Sequence, residues 1–358
     1  MTYFCTVPSV RGFVLPDGSF RDCCATTPYV RESNKDFKTW WLEDSRLNDL
    51  RGQLRGTTFP PQCRACELQE QGGKDSFRLA VNRAHAIVDA RHPAEWSIHF
   101  GNVCNLACWT CSEDFSSTIE SHKRQEGLLQ QGWVGPNMAF AERWPSLLEN
   151  ILLSYDHHHI VTLSILGGEP TYNPIVAQFL LGLIGQGLGA RTKLEITTNG
   201  TKTNPRLAGI LDSKHWHYIS IFVSIDALGS KAEWLRYGSD WKDVDANTRL
   251  YASTAHHVEI HTTLSMLNLD DLCSLHDYAQ ELGVTHTIIP LTMPSYLSIT
   301  AYDGSWSCSD PDAYRSRGLD RYLDMVSSQP KPGSVQRMRD HIAQFPNRKP
   351  FDLGAVLR

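Results

Sequence analysis

Six short runs of alternating apolar and polar residues, separated by helix-like stretches, constrain the fold of this chain more than any other feature. They are Trp96–Phe100, Val161–Leu166, Lys193–Thr197, Tyr218–Ile225, His257–Thr262 and Thr285–Ile289. A period of two places one set of side chains on a buried face, which is the pattern of a strand. Helices are expected near 112–131, 173–188, 204–213, 241–254 and 269–282. Strands alternating with helices over 95–290 predict an α/β fold with a parallel sheet and right-handed crossovers. Periodicity alone permits a βα barrel and a doubly wound open sheet equally. The strand ends carry Gly101, Gly167-Gly168, Asn199-Gly200 and Asp226, which is where a βα barrel gathers its active site.

A chain of 358 residues suggests two domains, and 41% hydrophobic with 20% charged residues is enough to build a large core. The formal net charge of −5 excludes a strongly basic nucleic-acid-binding chain, although not a local basic groove. MTYFCTVPSV lacks the basic and apolar regions of a secretion signal. No apolar run approaches the ~18 residues that span a bilayer. A soluble cytoplasmic protein is therefore expected, and in a reducing compartment clustered cysteines point to metal or redox chemistry rather than disulfides.

Ten cysteines are present. The tightest set is Cys104-Asn-Leu-Ala-Cys108-Trp-Thr-Cys111, a C-x3-C-x2-C run. Three thiolates leave a tetrahedral zinc site one ligand short unless a remote residue completes it. They can instead hold three irons of a [4Fe–4S] cluster and leave the fourth open. The CNLACWTC run resembles the cluster loop of the radical S-adenosylmethionine (SAM) enzymes, departing from many members at Thr110, where an aromatic residue or Met is common. That resemblance implies the partial (β/α)6 barrel rather than the open sheet.

It also implies roles for the strand ends. Gly167-Gly168-Glu169-Pro170 resembles the segment that binds the SAM amino group. Glycines allow close backbone approach, and the carboxylate can pair with an ammonium. Thr198, Asn199, Ser224 and Asp226 suit the ribose diol, and equally suit turns and helix caps. Ser224 lies in a VSID stretch like that of the peptide-modifying branch. Arg236 corresponds to an arginine that holds the SAM carboxylate. Cys308 is a candidate hydrogen-atom donor, and a free thiol is the plain alternative. Cys273 reads as core. His157-His158-His159 reads as a strand entrance rather than a metal site, because consecutive residues on an extended chain face opposite ways.

Cys5, Cys23, Cys63 and Cys66 form a second set. Pro16-Asp17-Gly18 predicts the turn of a β-hairpin. C-x12-G-x4-C with a separate C-x2-C resembles the twitch domain, the short form of the SPASM auxiliary-cluster domain. It precedes the barrel here, as in a group with many phage-encoded members. The resemblance implies a second [4Fe–4S] cluster on these four thiols, with Cys24 as an alternative to Cys23. Four cysteines in two pairs also suit structural zinc.

The expected organisation is a twitch region at 1–90, with a β-hairpin and a helix, a barrel at 91–290 and a helical extension at 291–358 covering the barrel. Helices are expected at Pro311–Met325 and Ser334–Phe345. The resemblance implies reductive cleavage of SAM to a 5′-deoxyadenosyl radical that abstracts a substrate hydrogen. It also implies an electron donor such as flavodoxin or ferredoxin, in a host cytoplasm if the chain is phage-encoded. The expected substrate is a peptide or protein side chain undergoing oxidation, crosslinking or epimerisation. A second expectation is isomerisation of a hypermodified thymidine or other nucleotide in phage DNA. A zinc-structured binding protein with a degenerate barrel is the competing class.

Overall fold

Alternating runs become paired strands wherever one face is buried. The computed structural model describes residues 5–26, 31–56, 58–73, 75–85, 91–202 and 209–344. Its strands are β1 (Arg11–Val14), β2 (Phe20–Arg21), β3 (Arg31–Glu32), β4 (Glu95–His99), β5 (Ala107–Cys108), β6 (Val161–Leu166), β7 (Thr192–Thr198), β8 (Tyr218–Ser224), β9 (Arg236–Tyr237), β10 (His257–Leu264) and β11 (Thr285–Pro290). The chain is mixed α/β and divides into two units. One comprises 1–104, 127–196 and 214–218; the other comprises 105–126, 197–213 and 219–358.

In the first unit β1, β4, β6 and β7 pair in parallel. The register aligns Ile98 with Ile165 and Ile165 with Ile196, and aligns Trp96 with Leu163 and Leu163 with Leu194. All are fully buried. Each aliphatic side chain in these rows contributes roughly 1.5–3 kcal/mol by leaving water. The expected hairpin is present: β1 and β2 are antiparallel, with Phe13 opposite Arg21. β3 pairs antiparallel with β2. The N-terminal segment thus continues the parallel strands through β1.

That segment is also more helical than its motifs suggested, with helices Phe37–Glu43, Ser45–Gln53, Arg64–Gln71 and Phe77–Ala84. Asp36 caps the first of them, its Oδ1 accepting from Thr39 N at 3.0 Å. Phe37, Trp40 and Trp41 share one face of this helix, and Phe37 meets Trp96 at 4.5 Å between ring centroids. Helix Pro174–Gly185 lies close to its expected place. Asn173 caps it at Ile175 N and also donates from Nδ2 to Phe100 O, tying helix start to strand end.

The three histidines are not a strand entrance. His157 ends helix Pro136–His157 and His158 is its C-cap, its N–H donating to Ser154 O at 2.9 Å. Leu147, Ile151 and Tyr155 repeat every fourth residue on the buried face, so the helix persists to its last turn. His157 stacks on His92 at 3.9 Å.

In the second unit β8, β10 and β11 pair in parallel, and β5 pairs antiparallel with β9. In β10, Val258, Ile260, Thr262 and Leu264 form the buried face. Helices Trp241–Thr254 and Leu272–Leu282 match expectation, while Ser117–Gln125 is shorter than expected. The helix expected at 204–213 lies mostly outside the described residues. The stretch 311–325 is two short helices, Pro311–Ser316 and Asp320–Leu323, interrupted around Gly318; the last is Ser334–Ala343.

The tail belongs to this unit's core. Tyr302, Tyr314, Tyr322 and Met338 pack in one apolar cluster with Trp109 and Trp234. Among the described residues no helix is long and apolar enough to cross a membrane.

Trp96 is the keystone of the first unit's aromatic packing, and its indole N–H donates to Ser154 Oγ at 3.0 Å. Trp96→Ala is expected to destabilise the protein by about 3–5 kcal/mol, read as a lowered midpoint of urea unfolding. A midpoint within error of the parent would contradict that role.

Candidate functional site

Two glycines explain why the turn after β6 can lie where it does. Gly167 and Gly168 have φ of +80° and +56°, a region that side chains rarely adopt. A Cβ on Gly168 would sit 2.3 Å from Val103 O, and one on Gly167 would sit 2.7 Å from His99 Cβ. Glu169 N donates to Val103 O at 2.7 Å. The GGE turn is therefore pinned against the residue preceding Cys104, the last residue of the first unit. Glu169 is buried, and its Oε1 accepts from Thr171 N at 3.0 Å and Thr171 Oγ1 at 2.6 Å.

In the second unit the cysteine run continues through a loop held at several points. Asn199 Nδ2 donates to Asn105 Oδ1 at 3.1 Å, and Asn105 Nδ2 donates to Thr201 Oγ1 at 2.9 Å. Asn199 Oδ1 accepts from Thr201 N and Oγ1. Ser116 Oγ donates to Leu106 O at 2.6 Å. Thr198 Oγ1 accepts from Gly200 N at 3.1 Å. The Asn-Leu between the first two cysteines was the visible sign of this bracing; Thr201 had no sign of its own.

β5 and β9 place Cys108 opposite Arg236. Arg236 Nη1 approaches Cys108 Sγ at 4.0 Å, and Nη2 pairs with Asp226 Oδ2 at 2.9 Å. Asp226 is buried, its other oxygen accepting from Thr263 N at 2.8 Å. Arg236 Nε is buried and has no hydrogen-bond partner among the described residues. Burial alone would lower this guanidinium; Asp226, with Cys108 and Cys111, more than offsets it and holds it above its usual range. Desolvation pushes the Cys111 thiol up to about 12, Cys108 adds to the rise and Arg236 opposes it. Ser224 ends β8 half-buried. Cys308 is also half-buried, packed with Cys273 against the tail cluster.

The second cysteine set lies within the first unit. Cys5, Cys23, Cys63, Cys66 and Arg78 line one cavity, walled by apolar residues such as Leu50 and Phe77. Cys5 precedes a short helix and Cys23 follows the hairpin. Cys63 closes the turn Pro61–Cys63, its N donating to Pro60 O at 2.8 Å, and Cys66 lies in the first turn of helix Arg64–Gln71. Burial pushes the Cys5 and Cys63 thiols up to about 12, with neighbouring thiols adding to it. Cys24 is exposed and is not among the cavity's lining residues. A hydrogen bond from Cys23, then Arg11 and Arg21, hold its thiol below the usual range.

Among the described residues no three Cys, His, Asp or Glu side chains converge as ligands of a single metal ion. Tetrahedral zinc draws sulfurs to about 2.3 Å from one point, whereas a four-iron cluster takes each thiolate on a different iron and spreads them further.

No family model matches the chain, and no curated protein matches it. Among solved structures it is similar to Streptococcus suis SuiB bound to S-adenosylmethionine, at 16% identity over 86% of this chain and 62% of that one, with a TM-score of 0.43. It is similar to anSMEcpe with bound AdoMet at 18% identity, covering 62% and 57% of the two chains, with a TM-score of 0.43. It is also similar to the radical S-adenosylmethionine methyltransferase TsrM from Kitasatospora setae at 10% identity, covering 53% and 34%, with a TM-score of 0.35. The chain thus spans less than two thirds of each. Likenesses this distant carry no assignment, and the chemistry rests on the residues of this chain.

Gly168→Ala would drive a methyl group into Val103 O and force the turn away. Strain of this kind costs on the order of 1–3 kcal/mol. The expected result is a lowered urea midpoint and faster exchange of the Glu169 amide. Parent-like exchange at that amide would show that the turn accepts the methyl group.

Proposed function

We propose that the chain is a radical SAM enzyme with an auxiliary iron–sulfur cluster. The observation that carries this reading is the buried Arg236 guanidinium, set opposite Cys108 of the C-x3-C-x2-C run with one donor left without a partner. That is the donor chemistry a carboxylate beside a thiolate-bound metal group requires. Cys104, Cys108 and Cys111 would hold the SAM-binding cluster. When bound, that cluster supplies the electron that splits SAM into methionine and a 5′-deoxyadenosyl radical, which takes a hydrogen atom from substrate.

The chain's own residues position the reactants. Arg236 holds the SAM carboxylate through the donor left over, and Asp226 fixes the guanidinium that does so. Gly167 and Gly168 let the backbone come close to the SAM amino group, with Glu169 behind the turn. Thr198, Asn199 and Ser224 face the ribose side. Asn105 braces the cysteine loop, so that its thiols are ordered before they bind.

Cys5, Cys23, Cys63 and Cys66 would hold the auxiliary cluster. Their shared cavity supports a four-thiolate group, and the exposure of Cys24 favours Cys23 as ligand.

The substrate reading follows the twitch resemblance: a peptide or protein side chain undergoing oxidation, crosslinking or epimerisation, with the electron delivered by a flavodoxin or ferredoxin. One observation favours the second reading, isomerisation of a modified thymidine or other nucleotide. Phe222 of β8 stacks on His261 of β10 at 4.6 Å, beside Glu259, which accepts from His257, His261 and Thr287. A half-exposed aromatic platform flanked by hydrogen-bonding groups suits a flat base.

Anaerobically reconstituted protein is expected to bind about eight irons per chain, four for each cluster, and to release 5′-deoxyadenosine from SAM and dithionite. Cys104→Ala should abolish that release. A wild-type protein that releases none, with any substrate, would overturn the enzyme reading in favour of a zinc-structured binding protein. Cys23→Ser should lose about four irons while Cys24→Ser keeps them; the reverse would reassign the ligand. Deuterium transfer into 5′-deoxyadenosine from labelled peptides or from labelled modified thymidines separates the two substrate readings.

A further inference from the structure

Of the described residues lining the four-cysteine cavity, Arg78 alone carries a charge. Its side chain is only 9% exposed, and its position is over-determined. Nε donates to Glu70 Oε1 at 2.9 Å, Nη2 pairs with Glu70 Oε2, and the guanidinium lies over the Phe59 ring at 5.1 Å. Glu70 is itself held by Ser76 Oγ at 2.5 Å, and Ser76 caps helix Phe77–Ala84, the helix that carries Arg78. A buried cation is therefore locked beside four thiols by a bidentate carboxylate.

Arg78 shares that cavity with Cys5, Cys23, Cys63 and Cys66, while the Glu70 carboxylate is taken up by Arg78 itself and by Ser76. A group held by four thiolates is negatively charged, and one-electron reduction adds a further unit. Against apolar walls, where screening by water is weaker than in bulk, a fixed cation stabilises the more negative state more strongly.

We propose that Arg78 is a positioning residue that raises the reduction potential of the auxiliary cluster and so biases it toward accepting an electron, with Glu70 fixing Arg78 in place. The electron is gained by the cluster and lost by whatever substrate radical or donor reduces it. This inference rests on the auxiliary-cluster reading above and adds the redox direction.

The test uses the full chain carrying Cys104→Ala, Cys108→Ala and Cys111→Ala, so that the auxiliary cluster alone gives a reduced-state EPR signal. Its midpoint is read by potentiometric titration alongside iron content. Arg78→Gln with iron unchanged is expected to shift the midpoint to more negative potential, and Arg78→Lys, which keeps the charge, to return it toward the parent. An iron-loaded Arg78→Gln with an unmoved or more positive midpoint overturns the role of Arg78 alone. If Arg78→Gln fails to hold iron, Glu70→Gln decides. Removing that opposing charge while keeping a hydrogen-bond partner should raise the midpoint, and no rise overturns the proposal. A parent chain holding zinc, or no cluster, overturns the auxiliary-cluster reading and this inference with it.

Discussion

A guanidinium can be buried among thiols only if a carboxylate goes in with it, because an unpaired charge away from water costs several kcal/mol. Both cysteine sets obey that constraint in the same way. Asp226 accompanies Arg236 beside Cys108, and Glu70 accompanies Arg78 beside the four-cysteine cavity. In each pair the carboxylate is anchored again from behind, by Thr263 N in one and Ser76 Oγ in the other. The local folds supply these anchors: β10 presents the Thr263 amide, and a helix cap presents Ser76.

The two sites differ in what the pair leaves over. Arg236 retains a buried donor without a partner, and this suits a ligand that arrives with its own negative group. Arg78 is fully engaged at its Glu70 side and acts through its field. Under the proposed reading, one arginine would touch a ligand and the other would influence one.

Much of this could be read in the residues alone, for identifiable reasons. β6, β10 and β11 begin where alternation begins, because each buries one face and period two then has no competitor. The glycine pair before Glu169 announced a close backbone approach, and the hairpin announced itself through Asp17-Gly18. What stayed hidden depended on tertiary partners. The helices between 37 and 84 are short, and their apolar faces make sense only once Trp96 and the cysteines are there to pack against. The histidine run was misread because its extended pattern was judged without the helix that precedes it. The meaning of Arg78 comes from the cavity it lines. Asp226 and Arg236 were each singled out as ligand-facing groups, yet their pairing with one another joins two strand ends that no spacing rule connects.

Trp109 lies between the second and third cysteines of the C-x3-C-x2-C run and is buried in a cluster that includes Met338. Its carbonyl also contacts His341 Nε2 at 3.3 Å, across more than two hundred residues of chain. The middle of this cysteine loop is thus packed by residues that lie more than two hundred positions further along the chain. Until they emerge, one wall of that loop is missing. Assembly of this unit is consequently ordered in time: the loop takes its final shape only once the segment carrying Met338 and His341 has been made, and a chain cut before that segment would present its thiols on an unfinished support.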